Sequence, residues 1–331
     1  MFFFRSTAHS AMDCLAIVGF FNTLVFDYQA RNRLGGLNMS EFVMIETVLP
    51  RRTALAATSG GVLRAVGSLS LCARSFAGDW LRLAPFSAQD QTTWKNLWAV
   101  TPHERLRLRC FLEAVVAELY GLEWEDLAWI LRECDYPAES LRDKAFRRTF
   151  DPKGFWRVDK EKDPELRHTV LSLVASRNLQ EMIAAQGGDR ERGIEAFCRQ
   201  NDGDGWMLPE ALRLSDLGLG HDERAKEPQP VRERLGERFL PWQLEQSAAE
   251  SWTECERHAR NLLGPDGFAR LQAELRGEAF VGEREPLTKV AEPSAEYSGG
   301  PGAQRRLFPG EPTLFGNSQE DPPRRGKRRR P

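Results

Sequence analysis

The sequence lacks paired cysteines. Its six, Cys14, Cys72, Cys110, Cys134, Cys198 and Cys255, stand far apart with no Cys-x-x-Cys among them. That spacing argues against a disulfide framework and points to a reducing compartment, the cytoplasm. Cys255 and His258 would share a helix face, but two ligands fall short of the four a zinc site uses, so no metal is expected. An excess of one charge is also missing, because 46 basic and 48 acidic residues leave a formal charge of −2. No global field draws this chain to nucleic acid, and any such contact must come from local patches. Long hydrophobic runs are missing too. The apolar stretch from Cys14 to Phe26 is shorter than the roughly 20 residues of a spanning helix. It also contains Asn22, and it continues into Asp27 and Arg31 without a small-residue cleavage site. A buried helix is expected there, and no membrane partner. No glycine-rich phosphate loop, His-Glu-x-x-His or Gly-x-Ser-x-Gly occurs, which removes the common nucleotide and hydrolase signatures.

What is present is a 331-residue chain, 41% hydrophobic, enough for one large or two ordinary domains. Leu15, Val18, Asn22, Val25, Phe26 and Gln29 keep a helical period, predicting one long helix from Cys14 to Arg33 that Gly35-Gly36 would end. Leu37 to Ile45 reads as an extended segment running to a stop at Pro50, before Arg51-Arg52. Thr101-Pro102-His103-Glu104 combines a cap, a first-turn proline and a glutamate three residues on, and Leu108, Phe111, Leu112, Val115 and Leu119 make the stripe that follows. Gly121 closes that helix. A second, over Glu123 to Cys134, is expected to pair with it as a hairpin. Asp163-Pro164 starts a helix reaching about Gln186, before Gly187-Gly188, and a Trp-rich helical region spans Phe239 to Leu263. Beyond about residue 284 the chain is rich in Pro, Gly and charge and is expected to be disordered.

Asn201-Asp202-Gly203-Asp204-Gly205-Trp206 looks at first like a calcium loop. With Gly205 in sixth position, however, the first and twelfth places fall on Gln200 and Ala211, so a plain turn is the better reading. His103 and His168 have no partner nucleophile in view and read as surface or structural. The basic and aromatic stretch Arg142, Lys144, Phe146, Arg147, Arg148, Phe150, Lys153, Phe155, Trp156, Arg157 admits two readings. Either its cations meet phosphate while its rings stack on bases, or Phe146, Phe150, Phe155 and Trp156 pin an irregular loop to the core. The cationic run Arg324 to Arg330 adds only sequence-independent affinity for DNA. Gln304-Arg305-Arg306-Leu307-Phe308 resembles the short peptides that dock on bacterial sliding clamps, with Arg305 where Leu is usual.

The segment from Leu15 through Phe26-Asp27-Tyr28, then Arg31-Asn32-Arg33-Leu34-Gly35-Gly36-Leu37-Asn38 and the exit Leu49-Pro50, resembles the TaqI-like C-terminal specificity region of adenine-specific restriction-modification methyltransferases. Ala117-Glu118-Leu119-Tyr120-Gly121-Leu122 with Glu125-Asp126 and Ile130-Leu131, then Phe155 to Lys160 and Leu166 to Val170, resemble segments of the same large methylases, including those of DISARM-type phage-defence islands. The likeness covers roughly residues 12 to 260.

The resemblance implies an α+β, predominantly helical chain. It would comprise a partial target-recognition segment of one long helix and a short strand (1–60), a helical body (61–283) and a basic tail (284–331). It further implies contact with double-stranded DNA through Arg31, Arg33, Asn38, Arg51 and Arg52, with Arg147, Arg148, Lys153 and Arg157 as a second patch. Asn22, Gly35 and Gly36 would shape the turn. Full-length relatives use S-adenosylmethionine, but the Asn-Pro-Pro-aromatic motif that holds a flipped adenine is absent here, as is the glycine-rich cofactor loop. No catalytic residue and no cofactor are therefore expected in this chain. A gene fragment or a split subunit, served by an upstream methyltransferase module and by other defence proteins, is the expected context. The rival expectation is a non-enzymatic helical assembly protein of a defence complex.

Overall fold

The helix capped by Thr101 lies within the hydrophobic core. In the computed structural model, which describes residues 11–34, 41–50, 52–87 and 97–278, Thr101 Oγ1 accepts the Glu104 N–H and Pro102 takes the first turn. The elements in order are α1 (Ala11–Phe21), α2 (Leu24–Arg33), α3 (Glu41–Glu46), α4 (Arg52–Ser70), α5 (Ala77–Ser87), α6 (Pro102–Leu119), α7 (Trp124–Ile130) and α8 (Lys144–Arg147). Next come α9 (His168–Ala185), α10 (Arg190–Arg199), α11 (Arg232–Leu235), α12 (Pro241–Glu245) and α13 (Ala248–Leu275). One small ribbon, β1 (Ala211–Leu212) antiparallel to β2 (Gln229–Pro230), sets Ala211 opposite Pro230 and Leu212 opposite Gln229. The chain is thus α+β and predominantly helical.

Between His103 and Glu118 every residue of α6 is buried except Arg105 and Arg109. The stripe read from the sequence is only part of a helix enclosed by α2, α4, α9 and α11. Gly121, at φ +79°, ends it: Leu122 N–H reaches Ala117 O and Gly121 N–H reaches Glu118 O, the paired bonds of a Schellman stop. Two glycines set how closely α4 approaches its neighbours. A Cβ on Gly19 would lie 2.6 Å from Val66 Cγ2, and one on Gly61 would lie 2.9 Å from Cys198 Sγ. Phe111 of α6 stacks on Phe197 of α10, with centroids 5.5 Å apart. One apolar cluster runs from Leu15 and Phe20 through Trp80, Val115 and Leu171 to Leu271. It crosses residue 60, which itself falls inside α4.

The expected long helix from Cys14 to Arg33 is two helices. Asn22 Nδ2 turns back to Val18 O, and Thr23 Oγ1 both donates to Phe20 O and accepts from Phe26 N–H, so Thr23 caps a new helix where the period alone predicted continuity. The expected extended segment also differs, because Glu41–Glu46 is helical. Residues 35–40, with Gly35, Gly36 and Asn38, lie outside the described residues, as do Arg51 and everything beyond 278. The tail and its clamp-like peptide therefore lie outside the described residues as well. Asp163-Pro164 opens a single 3-10 turn, and the α-helix itself begins at His168. The α7 helix packs on α9 and α2, so α9 serves as common partner where a simple α6–α7 hairpin was expected.

Burying α6 also buries Glu104 and Arg107. Arg107 binds both Glu104 oxygens at 2.6 and 2.8 Å and donates to Asp204 O and Trp206 O; Arg238 adds bonds to Glu104 Oε2 (2.7 Å) and Asp204 Oδ2 (2.8 Å). The acidic turn is therefore a docked structural turn, its carboxylate matched by Arg238 and its backbone by Arg107. Arg107→Ala would leave the buried Glu104 carboxylate with one cationic partner and remove two bonds to the 204–206 backbone, and should cost about 3–5 kcal/mol in urea unfolding. A cost below about 1 kcal/mol would show that the cluster does not hold the turn.

Candidate nucleic-acid interface

The last turn of α2 and the loop after α8 meet through a reciprocal contact. Arg31 Nη1 donates to Lys153 O at 2.8 Å, while Lys153 Nζ donates to Arg31 O (2.8 Å) and Leu34 O (3.1 Å). Lys153 thereby satisfies carbonyls at the helix C-terminus, where a cation also suits the dipole. Arg31 grips Asp27 one turn earlier with two bonds of 2.6 and 2.9 Å, and lies over the Phe155 ring at 4.3 Å. Two basic segments some 120 residues apart in sequence are thus joined at this contact.

The second segment is held from beneath. Leu141, Phe150 and Trp156 form a small buried cluster with Tyr136 and Phe146 packed on it, and Trp156 Nε1 donates to Asp151 O. Asp151 Oδ1 takes the Lys153 N–H and its Oδ2 takes Arg132. Phe155 is buried in the main core. The aromatic residues of this stretch anchor the loop, while Arg148 and Arg157 stand exposed on it.

The expected contact residues divide accordingly. Arg31 and Lys153 hold the joint together. Arg33, Arg148 and Arg157 are exposed; Arg33 touches its own Gln29 O and Arg157 rests on the Trp156 ring at 5.0 Å. Arg147 is half-buried, with Nε near Asp143 O. Arg52 is the first residue of α4, its side chain outside the described residues, and Arg51 and Asn38 lie outside them altogether. Asn22 shapes the break between α1 and α2. Beside the Arg31–Lys153 joint, Trp129 is 57% exposed, flanked edge-on by Tyr28 and covered by Arg132 at 4.5 Å.

No family model, curated protein or solved structure matches this chain. Among the described residues no three His, Cys, Asp or Glu side chains are grouped to hold a metal ion, and no helix is long and apolar enough to cross a membrane. Cys255 is buried against Ala77 O, and His258 pairs with Glu254 on its own helix.

Sequence reasoning missed a buried polar group behind α2. Leu24 N–H, the first orphan donor of that helix, is taken by both oxygens of Glu113, at 2.9 Å each. His168 Nε2 stands 3.7 Å from Glu113 Oε1, and Arg109 Nη2 meets His168 Nδ1 at 3.0 Å. A guanidinium only donates, so Nδ1 accepts and the neutral ring carries its hydrogen on Nε2. His103, also buried, puts Nδ1 2.7 Å from Gly236 O and must carry its hydrogen there. Burial pushes the Glu113 carboxyl up to about 8, and burial followed by the nearby Arg109 pushes His168 down to about 3.

The two shifts act on stability in opposite directions. His168, lowered from 6.5, adds stability as pH rises from about 3 to 6.5, because the unfolded ring binds the proton more tightly. Glu113, raised from 4.5, removes stability as pH rises from about 4.5 to 8. Only the Glu113 effect operates above 6.5, so thermal melts should show a falling limb between pH 6.5 and 8, on the order of 1–2 kcal/mol. Glu113→Gln should flatten it, and a limb unchanged in that variant would assign it to other groups.

Proposed function

We propose that this chain is the DNA-recognition and scaffold portion of an adenine-specific DNA methyltransferase of a restriction-modification or phage-defence system. It positions duplex DNA for a separate methyltransferase module in the cytoplasm and transfers no methyl group itself. The observation that carries this reading is the Arg31–Lys153 joint, which joins two basic segments that each resemble parts of such methylases. Arg33, Arg148 and Arg157 meet phosphate there, as one basic face. Trp129, beside them and capped by Arg132, offers a ring to the duplex.

A second reading, a non-enzymatic assembly protein, draws on the exposed Leu240, Trp242 and Leu244 around α12. DNA binding separates the two. A recognition unit prefers one short duplex over another at fixed salt, whereas a cationic tail alone binds all duplexes equally.

In fluorescence anisotropy on the full chain, Arg33→Ala, Arg148→Ala and Arg157→Ala together should weaken duplex binding and make the plot of log affinity against log salt shallower by roughly three. An unchanged slope in the folded triple variant would sink the interface. S-adenosylmethionine should give no heat of binding to the chain alone, and saturable binding would restore the active-methylase reading.

A further inference from the structure

A cavity of about 620 Å³ opens between the end of α1, the end of α4, the first three turns of α6 and the 159–162 loop. That volume lies within the range of small-molecule sites. Its walls are of two kinds. Val66, Leu106, Leu112 and other aliphatic side chains make an apolar floor, while Arg105, Arg109 and Lys162 bring three positive charges, with Asp159 the one acidic lining residue.

Two of the three cations, Arg105 and Arg109, are held by neutral partners that leave their charge unspent. Arg105 Nη1 donates to Leu69 O (3.1 Å) and Ala99 O (3.0 Å), and Arg109 Nη2 donates to Nδ1 of the neutral His168 ring (3.0 Å). Lys162 pairs with Asp159 at 3.1 Å, while Asp159 also accepts the His168 N–H at 3.2 Å. After that pairing the two guanidiniums face the cavity with no acidic counterpart among its lining residues. Arg105 and Arg109 are also the two residues of the α6 core stretch that are not buried. Positive charges fixed by neutral partners on a concave apolar wall are the arrangement that binds an anion attached to an apolar body.

We infer that this cavity binds a small organic phosphate of nucleotide size, its phosphate held by Arg105, Arg109 and Lys162 and its body laid on the Val66–Leu106–Leu112 floor. Its concave shape separates this site from the basic face, whose exposed cations suit a long polyanion. A duplex backbone does not fit a pocket of this volume, but a single nucleotide does.

The test is calorimetry on the full chain with three probes: adenosine monophosphate, adenosine, and inorganic phosphate. The nucleotide should bind more tightly than either part, because the site supplies both charge and apolar wall. Lys162→Glu and Arg109→Gln should each weaken nucleotide binding roughly tenfold to a hundredfold while leaving adenosine unchanged. Thermal melts establish that the variants are folded. If adenosine monophosphate binds no better than phosphate or adenosine to the unaltered chain, the inference fails whatever the variants do. Undiminished nucleotide binding in a folded Lys162→Glu or Arg109→Gln protein would also overturn it.

Discussion

A helix packed in the core can keep buried ionisable residues only if its neighbours bring partners for them, and α6 carries four, Glu104, Arg107, Glu113 and Glu118. Glu104 and Arg107 need Arg238 and the backbone of the 204–206 turn; Glu113 needs the Leu24 N–H and faces His168; Glu118 is met by Arg190. Each requirement fixes a different segment of the chain against the same helix. Leaving one such charge alone in the interior costs several kcal/mol, so the packing of α2, α9, α10 and the 200–240 region is coupled through α6. Apolar contact makes the core, and these polar partners set its register.

The same principle organises the parts with little regular structure. Arg167, fully buried, donates to Lys160 O, Lys162 O, Cys134 O and Tyr136 O, drawing two loop passages to one point. Glu165 and Asp163 are clamped by Arg224 and Arg234. Irregular backbone buries unpaired carbonyls, and a guanidinium with five donors is well suited to satisfying them. Arginine in this protein is therefore as much a structural residue as a surface charge. That is why a count of cations in the 142–157 stretch could not distinguish contact residues from joints.

The basic face and the cavity lie at opposite ends of this logic. At the face, Arg31 and Lys153 are consumed in joining α2 to the loop, and the exposed guanidiniums around them carry the charge. In the cavity, Arg105 and Arg109 are fixed by carbonyls and a neutral imidazole, partners that leave the positive charge standing.

The sequence by itself determined the features that depend on neighbouring residues. The Thr101-Pro102 start, the Gly121 stop, the polar turn before Trp206 and the predominantly helical class were all legible, because caps, left-handed glycines and periodicity act over a few residues. Tertiary structure decided the rest. The break at Asn22-Thr23 escaped the period because a carboxylate 89 positions away, Glu113, takes the freed Leu24 N–H. The segment at 41–46 is helical where its local pattern allowed a strand. Whether Arg31 or Arg33 presents its charge depended on which of them Asp27 and Lys153 could reach, and that is settled by distance in space.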